Sequence, residues 1–290
     1  MSCLSLAQRV RIISLFTEGN SLRATARLTG IHRSTIMRLA ELVGTACDRL
    51  HHARMRDLQV SCLQLDETWS FVNTKQKNLQ DHNPAEHGDC YLWLALDADR
   101  KAIVGYRVGK RAAGDATRFV ADLRGRVLNR PQIITDAYLP YEAAVAAAFG
   151  GNVDYVMLNK KAGWVPAVMR GRPDLEQATT NHVERANLTI RMHLRRSARR
   201  TNAHSKKIGP HRAAIALHIA FYNWCRVHET LRVTPAMELR LTDHVWSIAE
   251  LMNEAQATPR DLPPLPQSRS VSRPDRQPFK LRVIRGGKIA

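Results

Sequence analysis

No stretch of this chain stays apolar for the roughly 18 to 20 residues that a bilayer-crossing helix needs, and the opening MSCLSLAQRV lacks the apolar core of a secretory leader. The sequence therefore predicts a cytoplasmic protein with no membrane partner. Cysteine is scarce too. The five residues, Cys3, Cys47, Cys62, Cys90 and Cys225, are scattered, with no C-x-x-C pair and no Cys/His cluster at zinc spacing. That excludes a disulfide scaffold or a structural zinc site and leaves reduced, chemically idle thiols. Negative charge is the third shortage: 26 Asp and Glu stand against 44 Lys and Arg, for a formal charge of +18. A field of that sign attracts a polyanion and releases its counterions on contact, so nucleic acid is the first partner to consider. No internal repeat is visible.

The 290 residues, 44% hydrophobic, suffice for one medium catalytic domain and a small accessory module. Residues 1–45 have helical periodicity. Leu6, Val10, Ile13, Leu15 and Phe16 give a first helix one apolar face, ended by Gly19; Ser21 can cap a second helix, broken by Gly30. Ile31, Ile36 and Leu39 bury one side of a third, leaving Arg33, Ser34, Thr35 and Arg38 outward. This is helix-turn-helix logic, in which the last helix enters the major groove, although His32 stands where a small capping residue is more usual. Residues 46–57 are charged and read as a helical connector. Residues 58–240 give three strands, a helix, a strand, a helix and a strand, then two long basic helices at about 180–200 and 211–227. Residues 241–255 form a helical extension. The tail 256–290, rich in Pro, Ser and Arg, cannot bury enough apolar surface to repay ordering and is expected to be disordered without DNA.

The chemistry sits on carboxylates. Asp66 ends the apolar run CLQLD and Asp136 ends QIITD, so each projects from the carboxyl edge of a sheet, where open α/β sheets bind ligands. Glu184, near the start of a helix, can add a third oxygen. Clustered hard oxygen donors hold a hard divalent cation such as Mg²⁺, and two such ions suit in-line phosphoryl transfer. Glu184 also fits a capping box with Asn181, a purely structural alternative. Asp97 reads as a turn residue, and Glu67, pointing to the opposite face from Asp66, is set aside. Positions 185–228 hold ten Lys or Arg and no acid. Arg191, Arg195, Arg196, Arg199 and Arg200 form a cationic row suited to phosphates beside a scissile bond.

LDETWSFV, IITDAY, NHVERANLTIRMHLRR and the closing HIAFYNWCRVHETLRVTPAMEL together resemble bacterial insertion-sequence transposases with an RNase H-like DDE core, over about residues 58–239. The resemblance implies an α/β fold, an RNase H-like mixed sheet flanked by helices after a small all-α helix-turn-helix module. It implies that Asp66, Asp136 and Glu184 bind Mg²⁺, with Mn²⁺ able to substitute, and that Arg191 contacts substrate phosphate. It implies cleavage and strand transfer at transposon ends by a homodimer or larger homo-oligomer on end and target DNA, in a bacterial, nucleoid-associated setting. Phe221, Tyr222 and Trp224 are core-like, Asn223 and His228 can bond backbone, and Pro235 stops a helix. An inactive or domesticated DNA-binding regulator and a structure-specific nuclease are the alternatives.

Overall fold

Ser5 starts the first helix, α1 (Leu6–Thr17): its hydroxyl accepts from the Gln8 N–H while the Gln8 side chain accepts from the Ser5 N–H. Ser21 caps α2 (Leu22–Thr29), and Gly30 ends it at φ +69°, the left-handed conformation a Cβ would penalise. His32 does cap α3 (Arg33–Arg54), its Nδ1 accepting from the Ser34 N–H at 3.3 Å. In α1 the expected face is rotated. Ile12 and Ile13 are fully buried and Leu6 is 46% exposed, because α1 is packed from two sides, by α2 and by the last described helix, α9 (Ile248–Ala257).

The computed structural model describes residues 4–266. α3 runs unbroken past residue 45, so much of the 46–57 stretch is the same helix that carries Arg33 and Arg38. Its second half lies on α7 (Ile208–Ala220). The approach is close: a Cβ on Gly44 would come within 2.1 Å of the Ala213 carbonyl oxygen. Of the tail, Arg56 donates to the Pro263 carbonyl at 2.5 Å. Residues 267–290 lie outside the described residues.

The remaining elements are β1 (Cys62–Val72), β2 (Gly88–Asp97), β3 (Ile103–Gly109), α4 (Ala113–Arg126), β4 (Gln132–Asp136), α5 (Pro140–Phe149), β5 (Asp154–Asn159), β6 (Val165–Arg170), α6 (Asn181–His193) and α8 (Pro235–Glu238). The strands make one mixed sheet in the order β3-β2-β1-β4-β5-β6, with β1, β4 and β5 parallel and the rest antiparallel. This is the α/β fold expected, a mixed sheet flanked by helices after an all-α module. β6, carrying a proline and mostly exposed, is an edge strand the sequence pattern did not predict.

Alternation along β1 divides its side chains between two layers. Leu63 and Leu65 join a core with Phe119, Val120, Tyr141 and Val145 of α4 and α5. Gln64, Asp66, Thr68 and Ser70 face α6 and α7 instead, each meeting a polar group there. Asn223, in a π-helical turn after α7, pairs with both backbone groups of Ile103, and Tyr222 donates to the Lys101 carbonyl, so this segment pins β3. Thr234 caps α8, and Pro235 opens that helix at its first position rather than stopping one.

Candidate active site

Two steps along β1 advance about 6.6 Å and four residues of a helix about 6 Å, so a strand and a helix lying together can match polar groups repeatedly. They do here. Gln64 Oε1 accepts from the His182 and Val183 N–H groups at 3.0 Å each, capping α6 from across the sheet. One step on, Asn187 donates to Asp66 Oδ2 at 2.8 Å; one more, Arg191 donates to Thr68 Oγ1 at 2.9 Å. Asp66 is thus fixed by its own strand and by the helix that carries Glu184.

Asp66 is mid-strand, not at a strand end, since β1 continues to Val72. What ends is its neighbour. β4 pairs with β1 only as far as Gln64 opposite Ile134 and stops at Asp136, which leaves Asp66 and Asp136 level at the opening between parallel strands. An oxygen of each, with one of Glu67, lies within 4.8 Å of the others. Glu67, although its strand position turns it to the opposite face from Asp66, brings an oxygen to this cluster, since β4 no longer covers that edge of β1 and the longer side chain reaches it. Its Oε2 lies 3.5 Å from Arg111, which also stands 3.9 Å from Asp136 and 4.1 Å over the Tyr138 ring. Burial pushes Asp66 up to about 6, helped by Asp136 and Glu184 and opposed by Lys160 and Asn187. Burial and Asp136 push Glu67 up to about 7 against the pull of Arg111. Among the described residues, Glu67 Oε1 and the Tyr141 hydroxyl facing it are buried without a well-formed hydrogen bond.

Glu184 is not among the three clustered oxygens. It accepts from Lys160 Nζ and from Thr180 Oγ1, both at 2.7 Å. No capping box forms with Asn181, because α6 is capped by Gln64 and flanked by Thr180. Lys160 follows β5 and is an electrostatic neighbour of Asp66, Asp136 and Glu184 alike. Neither Lys160 nor Asn187 was singled out from sequence. Asn187 lies three residues past Glu184 on the same helical face, and Lys160 follows the end of a parallel strand, the rule that selected Asp136.

The arginines after Arg191 do not continue its helix. α6 stops at His193, and Arg195–Ser197 form a 3₁₀ turn. Arg196 is taken up internally, donating to Ser205 Oγ at 3.3 Å and to the Pro210 carbonyl at 2.9 Å, whereas Arg195, Arg199 and Arg200 are exposed. Asp97 accepts from the Asp99 and Arg100 N–H groups and pairs with Arg100, a turn residue as expected.

In the amino-terminal module Ile36 and Leu39 are buried, while Arg33, Ser34, Thr35 and Arg38 are exposed on the last helix. Residues 2–39 match a family described as a helix-turn-helix domain. The chain begins with a helix-turn-helix domain. That domain, ahead of an α/β core, agrees with the resemblance drawn from the motifs. No curated protein matches the chain. Among solved structures, a piggyBac transposase synaptic complex with hairpin DNA aligns over 86% of this chain and 69% of its own, at 10% identity and TM-score 0.45. A Mos1 strand transfer complex aligns over 75% and 78%, at 13% identity and TM-score 0.24. A Mos1 paired-end complex with left transposon end aligns over 53% and 60%, at 13% identity and TM-score 0.22.

Proposed function

We propose that the chain is a DNA transposase that cleaves and joins phosphodiesters at transposon ends, working as a homodimer or larger assembly. The observation that carries this reading is the meeting of Asp66, Glu67 and Asp136 oxygens within 4.8 Å at the mouth between β1 and β4. Crowded carboxylates repel one another unless a cation lies among them. An all-oxygen donor set suits Mg²⁺, or Mn²⁺ in its place, better than a soft metal. Asp66 and Asp136 would hold it, with Glu184 entering from α6 once released from Lys160; Glu67 is an additional candidate. When bound, such an ion supplies Lewis acidity to an in-line phosphoryl transfer.

The rest of the reading concerns this chain's own groups. Asn187 donates to one Asp66 oxygen and leaves the other for the site. Arg191, beside Thr68 and within the electrostatic reach of Asp66, is placed to hold a phosphate next to the reacting one. Arg33, Ser34, Thr35 and Arg38 are proposed to read base edges at the transposon end, and Arg195, Arg199 and Arg200 to contact backbone phosphates.

The test is nicking of end DNA in Mg²⁺. Asp66→Ala and Asp136→Ala are expected to abolish it while end binding stays intact, since each removes a carboxylate but no phosphate contact. Cleavage by Asp66→Ala at the wild-type rate means the site lies elsewhere. A wild-type chain that binds ends and cuts nothing in either metal would be a regulator instead.

A further inference from the structure

Beyond the acid cluster, β1 runs on to a second concavity. A cavity of about 640 Å³ opens between the end of β1, the loop after it and the segment 199–204, and its lining includes Phe71, Lys75, Lys77, Arg199, Arg200 and His204. Four cations line it, and no acidic residue does among the described residues. Lys75, Lys77, Arg199 and Arg200 are all exposed. Its wall is built in: Val72 bridges to Ser205, the Asn73 N–H donates to the Ser205 carbonyl at 2.7 Å, and Arg196 clamps Ser205 from behind. Within it the Phe71 and His204 rings lie 4.6 Å apart at 31°, and Lys75 Nζ sits 5.8 Å from the Phe71 centroid. Lys206 Nζ lies 2.7 Å from His204 Nε2, and His204 Nδ1 is buried with no hydrogen-bond partner among the described residues.

We propose that this cavity binds unpaired DNA, the strand leaving the acid cluster, with a base stacked on the outer face of His204 and its phosphates held by Lys75, Lys77, Arg199 and Arg200. This rests on the transposase reading and gives its site a substrate form. Two features favour an unpaired strand over duplex. Bases inside a duplex are stacked on each other and cannot offer a face to a ring set in a concavity, whereas a positive groove with aromatic platforms is how single strands are held. Aromatic rings also lead toward it from the site. Glu67, Trp69 and Phe71 share one face of β1, the Trp69 and Phe71 rings lie 5.7 Å apart, and Lys75 Nζ lies 6.0 Å from the Trp69 ring. Asp66 to Phe71 is five residues, about 17 Å of strand, or roughly five stacked nucleotides at about 3.4 Å each.

The experiment uses the full chain in EDTA, where nothing is cut, so failure of the catalytic reading cannot be mistaken for failure of this one. A blunt duplex end is compared at fixed salt with the same duplex carrying a five-nucleotide single-stranded extension of either polarity, with 2-aminopurine in the extension. The extension of one polarity is expected to tighten binding about tenfold, within the range for stacking one base on a ring, and its emission to be quenched. Lys75→Ala combined with Lys77→Ala should remove that gain and leave blunt binding unchanged, and His204→Ala should remove the quenching. No gain from either extension overturns the proposal. So does an equal loss for blunt and extended DNA in the double variant, which would mark an undifferentiated basic surface.

Discussion

Asp66 and Glu67 are carboxylates that the metal-free fold holds against their preference. Burial raises them to about 6 and about 7, above their ordinary values, so the folded chain binds their protons more tightly than the unfolded chain does. Stability from this source is present in full below about pH 4 and is lost as pH rises through 6 to 7. At pH 8 both charges are a burden on the fold. Asp66→Asn, whose amide oxygen can still accept from Asn187, should therefore stabilise the protein in EDTA at pH 8, by about 1 to 2 kcal/mol after allowing for partial exposure. At pH 4 it should change little. Melts at the two pH values measure this, and a loss of stability at pH 8 would show that Asp66 is held by its protein contacts and not strained by its neighbours. Arg191 differs from Arg195 at the same scale: the first is half-buried and fixed on Thr68, the second exposed on a 3₁₀ turn. Arg191→Ala should lower cleavage at saturating DNA by about 1 to 3 kcal/mol, the range for a charge-assisted hydrogen bond. Arg195→Ala should alter only the salt dependence of binding. Equal effects on rate would remove Arg191 from the site.

Elements meet here at distances that sequence periodicity does not encode. Three strands, helix, strand, helix, strand was legible because apolar alternation and turn residues are local signals. The length of β1 was not, because Asp66, Thr68 and Ser70 read as the polar end of a strand when they are its inward face. Their partners, Asn187, Arg191 and His211, lie more than 100 residues away in sequence. The cap of α6 is hidden for the same reason, being supplied by Gln64 of β1. Asp136 was legible because it follows a short buried strand; Lys160 obeys the same rule but is a cation, so a search for ligands passed it by. Gly44 is the clearest case of an element contact invisible in sequence. In an exposed helix Gly→Ala gains about 0.5 to 1 kcal/mol. Here the added methyl would meet the Ala213 carbonyl oxygen 2.1 Å away, so Gly44→Ala should destabilise by roughly 1 to 3 kcal/mol or more. The sign of the shift in urea midpoint decides between a free helix surface and the α3–α7 contact.

At the scale of the molecule, the continuity of α3 changes what a truncation can reveal. A boundary at residue 45 suggests removing the helix-turn-helix domain and keeping the core. That cut falls inside α3, whose buried Val43, Ala46, Cys47 and Leu50 run without interruption into one core with Leu217 and Trp224 on the α7 side and Leu251, Met252 and Ala255 of α9. α9 would lose both α1 and half of α3, its described packing partners in that domain. A chain beginning at residue 46 should therefore melt well below the full-length protein or aggregate, and any loss of DNA recognition by it would report unfolding. Point variants separate the two effects. Arg33 and Arg38 are exposed on a helix whose other side is packed, so Arg33→Ala with Arg38→Ala should keep the wild-type melting temperature. It should also keep weak, salt-sensitive binding through the remaining positive charge, which needs only phosphates, while discrimination between end and random DNA falls because base-edge contacts are gone. Competition binding at two salt concentrations, beside thermal melts of the three proteins, makes the measurement. If the truncated chain melts where the full-length protein does, α3 is not the shared strut described here. If the double variant still prefers end DNA at full strength, base reading belongs to another surface.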